Sequence, residues 1–232
     1  MKTFRVYIGY DQHETVAYHV LSHSILRHAS TPISITPVMR SQIQNIYTRP
    51  RGPLESTDFS MTRFLVPYLS GFEGHSLFLD CDMLCQADIG ELFIYGLAYP
   101  DKAVHVVQHD YVPKSAKKFL DQPQTAYHRK NWSSVMLFNN ALCTQLTPEY
   151  VNQATGLALH QFQWLRDEQI GALPLDWNWL VGEYEKNEKA KLLHYTLGTP
   201  CFEEYGHCDQ AQRWMDVLSE VLSPCSADAV RA

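Results

Sequence analysis

Asp80 and Asp82 stand one residue apart at the end of an apolar run, in SLFLDCDMLC (76–85). In an extended strand, residues i and i+2 face the same side. The two carboxylates are therefore expected side by side, with Cys81 turned away. Two like charges at that range raise one another's pKa unless a cation or an array of donors lies between them. Hard divalent cations prefer oxygen ligands of this kind, and the carboxyl end of a strand in an open α/β sheet is where ligands bind. The functional reading is a divalent ion that carries a phosphorylated ligand. The structural alternative is a strand-end turn, where aspartate hydrogen-bonds nearby backbone.

Two chemistries share the local pattern. One is a metal-dependent transferase acting on nucleotide-sugars. The other is an aspartyl phosphatase, in which an acid after an apolar strand is the nucleophile. Phosphatases of that kind place the pair on their first strand and use a Gly-Asp segment downstream. Here the pair comes late and the sequence has no Gly-Asp dipeptide, which favours the transferase.

The elements that must position these acids follow from periodicity. FRVYIGY (4–10) is a short β-rich apolar run, TVAYHVLSHSILRH (15–28) has helical spacing, and ISITPVM (33–39) is a second strand. A β-α-β start favours a parallel sheet. Residues 40–56 are polar, with two prolines and a glycine, and read as a mobile loop. A helix is expected over 56–72, and then the Asp80 strand. Further strands are expected at 103–110, 133–140 and 191–196, and helices at 146–158, 160–174 and 210–223.

The 232 residues are 45% hydrophobic and 19% charged, enough to bury a core. A net charge of −6 argues against a nucleic-acid partner, which needs a concentrated basic surface. No apolar run at the N-terminus suits a signal peptide, and no 18-residue apolar stretch suits a membrane span. A cytoplasmic location with reduced thiols is the expectation. Cys201, His207 and Cys208 have no CxxC pair beside them to support a zinc site.

Five ordered pieces over residues 4–206 resemble the retaining nucleotide-sugar glycosyltransferases of the GT-A fold, in particular family 8, the group of glycogenin and bacterial galactosyltransferases. These are VYIGYD (6–11), MTRFLVPYL (61–69), FLDCD (78–82), NWSSVMLFNN (131–140) with LRDEQIGALPLDWNWL (165–180), and HYTLGTPCF (194–202). The resemblance implies an α/β, Rossmann-like fold with a mostly parallel twisted sheet flanked by helices. It implies one such domain over 1–232, with 207–232 as a C-terminal helical extension.

The resemblance also implies roles. Asp11 would contact the base or ribose of the donor, with Gly9 and Tyr10 letting the backbone approach or flanking the base. Arg63 would reach the diphosphate or donor sugar. Asp80, Asp82 and His194 would hold Mn²⁺ or Mg²⁺, and Asp80 would also touch the donor. Ser133 and Ser134 would line the donor sugar, Trp177 and Asn178 would border it, and Gly198 would let backbone approach the phosphates. Asp167 and Glu168 overlie the acidic segment beneath the anomeric carbon. Two departures stand out: Glu-Gln occupies 168–169 where Gln-Asp is common, and no lysine stands beside Pro200.

The implied activity is transfer from a UDP-sugar, with retention, to a glycan, lipid-linked or protein acceptor. Arg40, Arg49 and Arg51 would lie on a loop that closes over the donor. The rivals are a non-catalytic nucleotide-sugar or glycan binder of the same fold and a sugar-phosphate nucleotidyltransferase, whose Gly-rich first loop is missing here. The apolar stripe of the last helix is expected to pack on the domain or to form a homo-oligomer.

Overall fold

Strand β1 (Phe4–Tyr10) buries Val6, Tyr7 and Ile8 between two neighbours, β2 (Ile33–Met39) and β3 (His75–Leu79), both parallel to it. The computed structural model describes residues 3–52, 55–114, 117–118, 122–123 and 127–223. The sheet continues through β8 (Val135–Asn139), β5 (Val104–Val107) and β9 (Ile170–Leu173), in the order β2-β1-β3-β8-β5-β9. Strand β8 runs antiparallel to both β3 and β5, and β9 is parallel to β5. Five strands therefore point one way and β8 alone points back. The near-continuous apolar runs of the central strands at 75–79, 104–107 and 135–139 reflect burial on both faces.

This topology decides where ligands can go. The carboxyl ends of β1, β3 and β5 and the amino end of β8 share one edge, so Asp11, Asp80, Gln108 and Ser134 emerge together. The ladder runs one step past β3: the Asp80 backbone N–H donates to the Ser134 carbonyl at 3.0 Å. A smaller sheet of order β10-β11-β4 lies beside it, from β4 (Met83–Cys85), β10 (Trp179–Leu180) and β11 (Leu192–His194). Strands β6 (Lys117–Lys118) and β7 (Gln122–Pro123) form a short antiparallel pair.

The helices are α1 (Thr15–His28), α2 (Val66–Leu69), α3 (Gly90–Ala98), α4 (Pro148–Gln153), α5 (Gly156–His160) and α6 (Ala211–Leu222). Helix α6 packs on α1 and buries Trp214 and Val217 against Ala17, Val20, Leu84 and Leu193. Arg27 of α1 reaches Glu220 at 2.7 Å.

Four expectations are corrected. The helix expected over 56–72 is turns, a 3-10 segment (Thr62–Leu65) and the single turn α2, because Pro67 has no N–H to continue an α-helical ladder. The helix expected over 146–158 is split into α4 and α5, with Ala154 and Thr155 extended and Thr155 capping α5. The stretch 160–174 is not a helix. Phe162 is left-handed (φ 56°), Asp167–Gln169 is one 3-10 turn, and Ile170–Leu173 is the edge strand β9. Its short apolar run pairs with β5 instead. Finally, the loop is tethered at residues 46–49: Asn152 of α4 accepts from the Thr48 and Arg49 amides and donates to the Ile46 carbonyl. Arg40, Arg49 and Arg51 are engaged with the Arg49 carbonyl, the Val151 and Ala154 carbonyls, and Asp58, respectively.

Candidate active site

Asp80 leaves β3 and Asp82 enters β4, so the chain turns between the two sheets at Cys81. Strand β11 pairs antiparallel with β4, placing His194 opposite Met83, and the Tyr195 N–H donates to the Asp82 carbonyl at 2.9 Å. The result is a cluster of Asp80, Asp82 and His194 whose ligand atoms all lie within 4.8 Å of one another. His194 Nε2 is 3.2 Å from Asp82 Oδ1.

The fit to a cation can be tested on the cluster's own atoms. Asp82 Oδ1 is buried and lacks a hydrogen-bond donor among the described residues, and the buried Asp80 Oδ1 meets only the Arg63 guanidinium. Arg63 Nη1 comes within 2.7 Å of Asp80 Oδ1 as an ion pair. An orphaned carboxylate oxygen, a second held by a single guanidinium, and an imidazole are a donor set suited to a divalent ion. Burial raises the Asp80 carboxyl to about 6; Arg63 pulls it down and Asp82 pushes it up.

Arg63 is itself buried. Its guanidinium lies between the Phe59 and Phe78 rings, 5.4 and 5.1 Å from their centres. Nε donates to the Phe59 carbonyl and Nη1 to the Ser133 carbonyl. Its observed contacts orient Asp80 and tie β8 to the cluster.

The remaining expected residues divide. Asp11 is buried at the same edge, but its carboxylate is used internally: Oδ1 accepts from the His13 N–H and Oδ2 from the Asp58 N–H, both at 2.9 Å. Burial raises its pKa, yet these donors and the His13 ring outweigh that and hold it below the usual range. The space above Gly9 is filled by Phe59, whose ring would lie 2.4 Å from a Cβ there. The Tyr10 hydroxyl lies 3.0 Å from Thr15 Oγ1.

Ser133 Oγ lies 2.7 Å from His160 Nδ1. The Ser134 hydroxyl donates to the Asn131 carbonyl at 2.7 Å, and Asn178 Nδ2 donates to Ser134 Oγ at 2.8 Å. Asn178 Oδ1 is 2.8 Å from His194 Nδ1. Trp177 is a buried core side chain with Lys191 over its ring. Gly198 has φ 148°, and a Cβ there would lie 2.2 Å from the Tyr205 ring. Asp167 and Glu168 are not joined to the cluster by any hydrogen bond or ion pair. Asp167 is 79% exposed and paired with Arg129 at 2.7 Å, and the Glu168 carbonyl accepts from Lys102.

Two residues near the cluster escaped the sequence reading. Glu14 is buried, accepts the Cys81 S–H, and has its pKa raised well above the usual range by burial, then by Asp82, Asp11 and Asp80. His109 follows β5; burial, and then His194, push its pKa down to about 3, so its ring is neutral. Its Nδ1 lies 2.8 Å from the Tyr184 hydroxyl, while Nε2 has no partner among the described residues. A cavity of about 330 Å³ is lined there by His109, Asp110, Tyr111, Tyr127, Lys130 and Trp132. An acid at a helix entrance and a histidine in an apolar run carry no periodic signal that would have singled them out.

The fold is that of the GT-A type glycosyltransferases. The bifunctional glycosyltransferase WbbM in its apo form superposes with a TM-score of 0.64 at 16% identity, over 95% of this chain and 51% of WbbM. The glycosyltransferase GlyE of Streptococcus pneumoniae TIGR4 gives 0.62 at 14% identity, over 96% of this chain and 62% of GlyE. The galactosyltransferase LgtC, in complex with donor and acceptor sugar analogues, gives 0.58 at 9% identity, over 99% of this chain and all of LgtC. This chain thus spans about half the length of WbbM. By sequence it belongs to the family of Protein CDI of Arabidopsis thaliana, with which it is 44% identical over 228 residues, 94% of this chain and 87% of that protein. No family model matches the chain.

Proposed function

We propose that this protein is a metal-dependent, retaining glycosyltransferase, similar to family 8, that moves a sugar from a UDP-sugar to a glycan, lipid-linked or protein acceptor. The observation that carries the reading is the convergence of Asp80, Asp82 and His194 at the carboxyl edge of a GT-A sheet, with Asp82 Oδ1 left without a donor among the described residues. Mn²⁺ or Mg²⁺ bound there would offset the negative charge that develops on a departing nucleoside diphosphate.

The chain's own residues divide the remaining work. Arg63 holds Asp80 in place and lowers the cost of its ionisation next to Asp82. The cavity beside β5 supplies aromatic faces from Tyr111, Tyr127 and Trp132 for a sugar, with Lys130 and the neutral His109 as polar partners. No residue is assigned as nucleophile: Asp167 faces solvent and Arg129.

That outward acid, together with the missing lysine, favours one second reading, a nucleotide-sugar binder without turnover. Thermal unfolding with UDP, GDP, CDP and ADP, each with Mn²⁺ or EDTA, tests the shared donor pocket. A ligand at about one hundred times its Kd stabilises by about 2.7 kcal/mol, or roughly 5–10 °C for a domain of this size. A shift with UDP and Mn²⁺ that EDTA abolishes supports the pocket; a flat response to every nucleotide refutes it.

A further inference from the structure

The atoms behind His194 form a chain with only one consistent direction. A backbone carbonyl can only accept, so the Ser134 hydroxyl must spend its single proton on Asn131 O, 2.7 Å away. Ser134 Oγ is then an acceptor, and the Asn178 amide must turn its NH₂ end to it, at 2.8 Å. The amide's oxygen end consequently faces His194 Nδ1, at 2.8 Å. That oxygen can only accept, so Nδ1 carries the ring proton. The neutral imidazole that can ligate a cation has one such proton, which leaves Nε2, 3.2 Å from Asp82 Oδ1, as the lone pair it can offer. Flipping the amide would set its oxygen against a hydroxyl whose proton is already used. Ser134, Asn178 and His194 are all at most 2% exposed, so bulk water does not offer other partners.

We propose that Asn178, aligned by Ser134 and the Asn131 carbonyl, is a positioning residue that fixes the tautomer of His194 so that Nε2 is always the nitrogen presented to a divalent cation. The inference rests on the metal site proposed above and changes the role of two residues. Ser134 and Asn178, expected to line the donor sugar, act instead through the histidine. Asn131 adopts a left-handed conformation (φ 62°) at the start of the 3-10 turn Trp132–Ser134. The same turn puts the Ser134 carbonyl on the Asp80 N–H, so one loop sets both the first acid and the histidine. Partners of this kind behind a ligating histidine typically contribute about 10- to 100-fold in metal affinity.

The test combines two readouts on the intact protein. The first is ¹⁵N NMR of histidine-labelled, metal-free protein near neutral pH, with the His194 signals assigned by their loss in His194→Gln. The second is Mn²⁺ affinity by calorimetry for wild type, Asn178→Asp, Asn178→Leu and Ser134→Ala. The expected results are a protonated Nδ1 in the wild type, and Mn²⁺ binding by Asn178→Asp at least as tight as wild type, because the acceptor is kept. Asn178→Leu should bind about 10- to 100-fold more weakly, and Ser134→Ala should show a smaller loss, because Asn178 Nδ2 still has the Asn131 carbonyl at 3.4 Å. Should Asn178→Leu not fold, Ser134→Ala decides. A bare Nδ1 in the metal-free wild type, or unchanged Mn²⁺ affinity in both Asn178→Leu and Ser134→Ala, overturns the inference while leaving the metal site standing. A wild type that binds no Mn²⁺ overturns the metal site itself, and the inference with it.

Discussion

The buried Asp80 carboxyl couples the stability of the metal-free protein to pH in a direction opposite to the usual one. Its pKa is raised from an ordinary 3.8 to about 6, chiefly by burial. Between those values the folded chain keeps a proton that the unfolded chain has released, so stability falls as pH rises through the window. The stabilising effect is fully present below about pH 4 and lost above about pH 6. A difference of about two pH units corresponds to about 3 kcal/mol at 1.36 kcal/mol per unit. The Asp80 side chain is only 14% exposed, so solvent screening does not erase the effect. Asp80→Asn is close in shape and cannot ionise. Urea unfolding in EDTA, from pH 4 to 7, should give the variant a flatter profile than the wild type by about 3 kcal/mol over that span. Glu14, raised in the same direction, contributes to both proteins and largely cancels in the difference. Parallel profiles for the two proteins would refute the account of a carboxylate held at a cost for want of a cation.

Other outcomes follow from the packing around the site. Gly9→Ala places a Cβ 2.4 Å from the buried Phe59 ring, and the overpacking should cost about 1–3 kcal/mol in a denaturant titration; no loss would mean that the ring is not seated there. Asn152→Ala removes the acceptor of two loop amides, so hydrogen exchange at Thr48 and Arg49 should accelerate while the sheet amides are unchanged. Trp214→Ala should cost about 3–5 kcal/mol of stability, because α6 closes the second core through that residue; a smaller loss would make α6 a dispensable appendage.

Much of the frame was legible in the sequence, because its signals are local. The runs 4–10, 15–28 and 33–39 announce a β-α-β unit through their periods, and all three fall where expected. The pair Asp80 and Asp82 at the end of a strand was readable from residue type and position, and His194 from the family resemblance of its segment. What failed depends on contacts between distant segments. IGAL (170–173) reads equally as helix or strand until β5 offers it an edge. Strands β4 and β10, of three and two residues, exist only because β11 pairs with both. The engagement of Asp11 by the Asp58 amide and of Arg63 by Asp80 joins residues 47 and 17 positions apart. No window along the chain reveals that these groups are already occupied, and the same holds for the burial of Glu14 among three acids.

The most direct test of the central claim is turnover of UDP-sugars, read as UDP release with Mn²⁺ present, against EDTA and against Asp82→Ala. The expected result is release from at least one UDP-sugar that needs the divalent ion and is abolished in the variant. Release that persists in EDTA or in Asp82→Ala, or UDP binding with no turnover of any UDP-sugar, would contradict it.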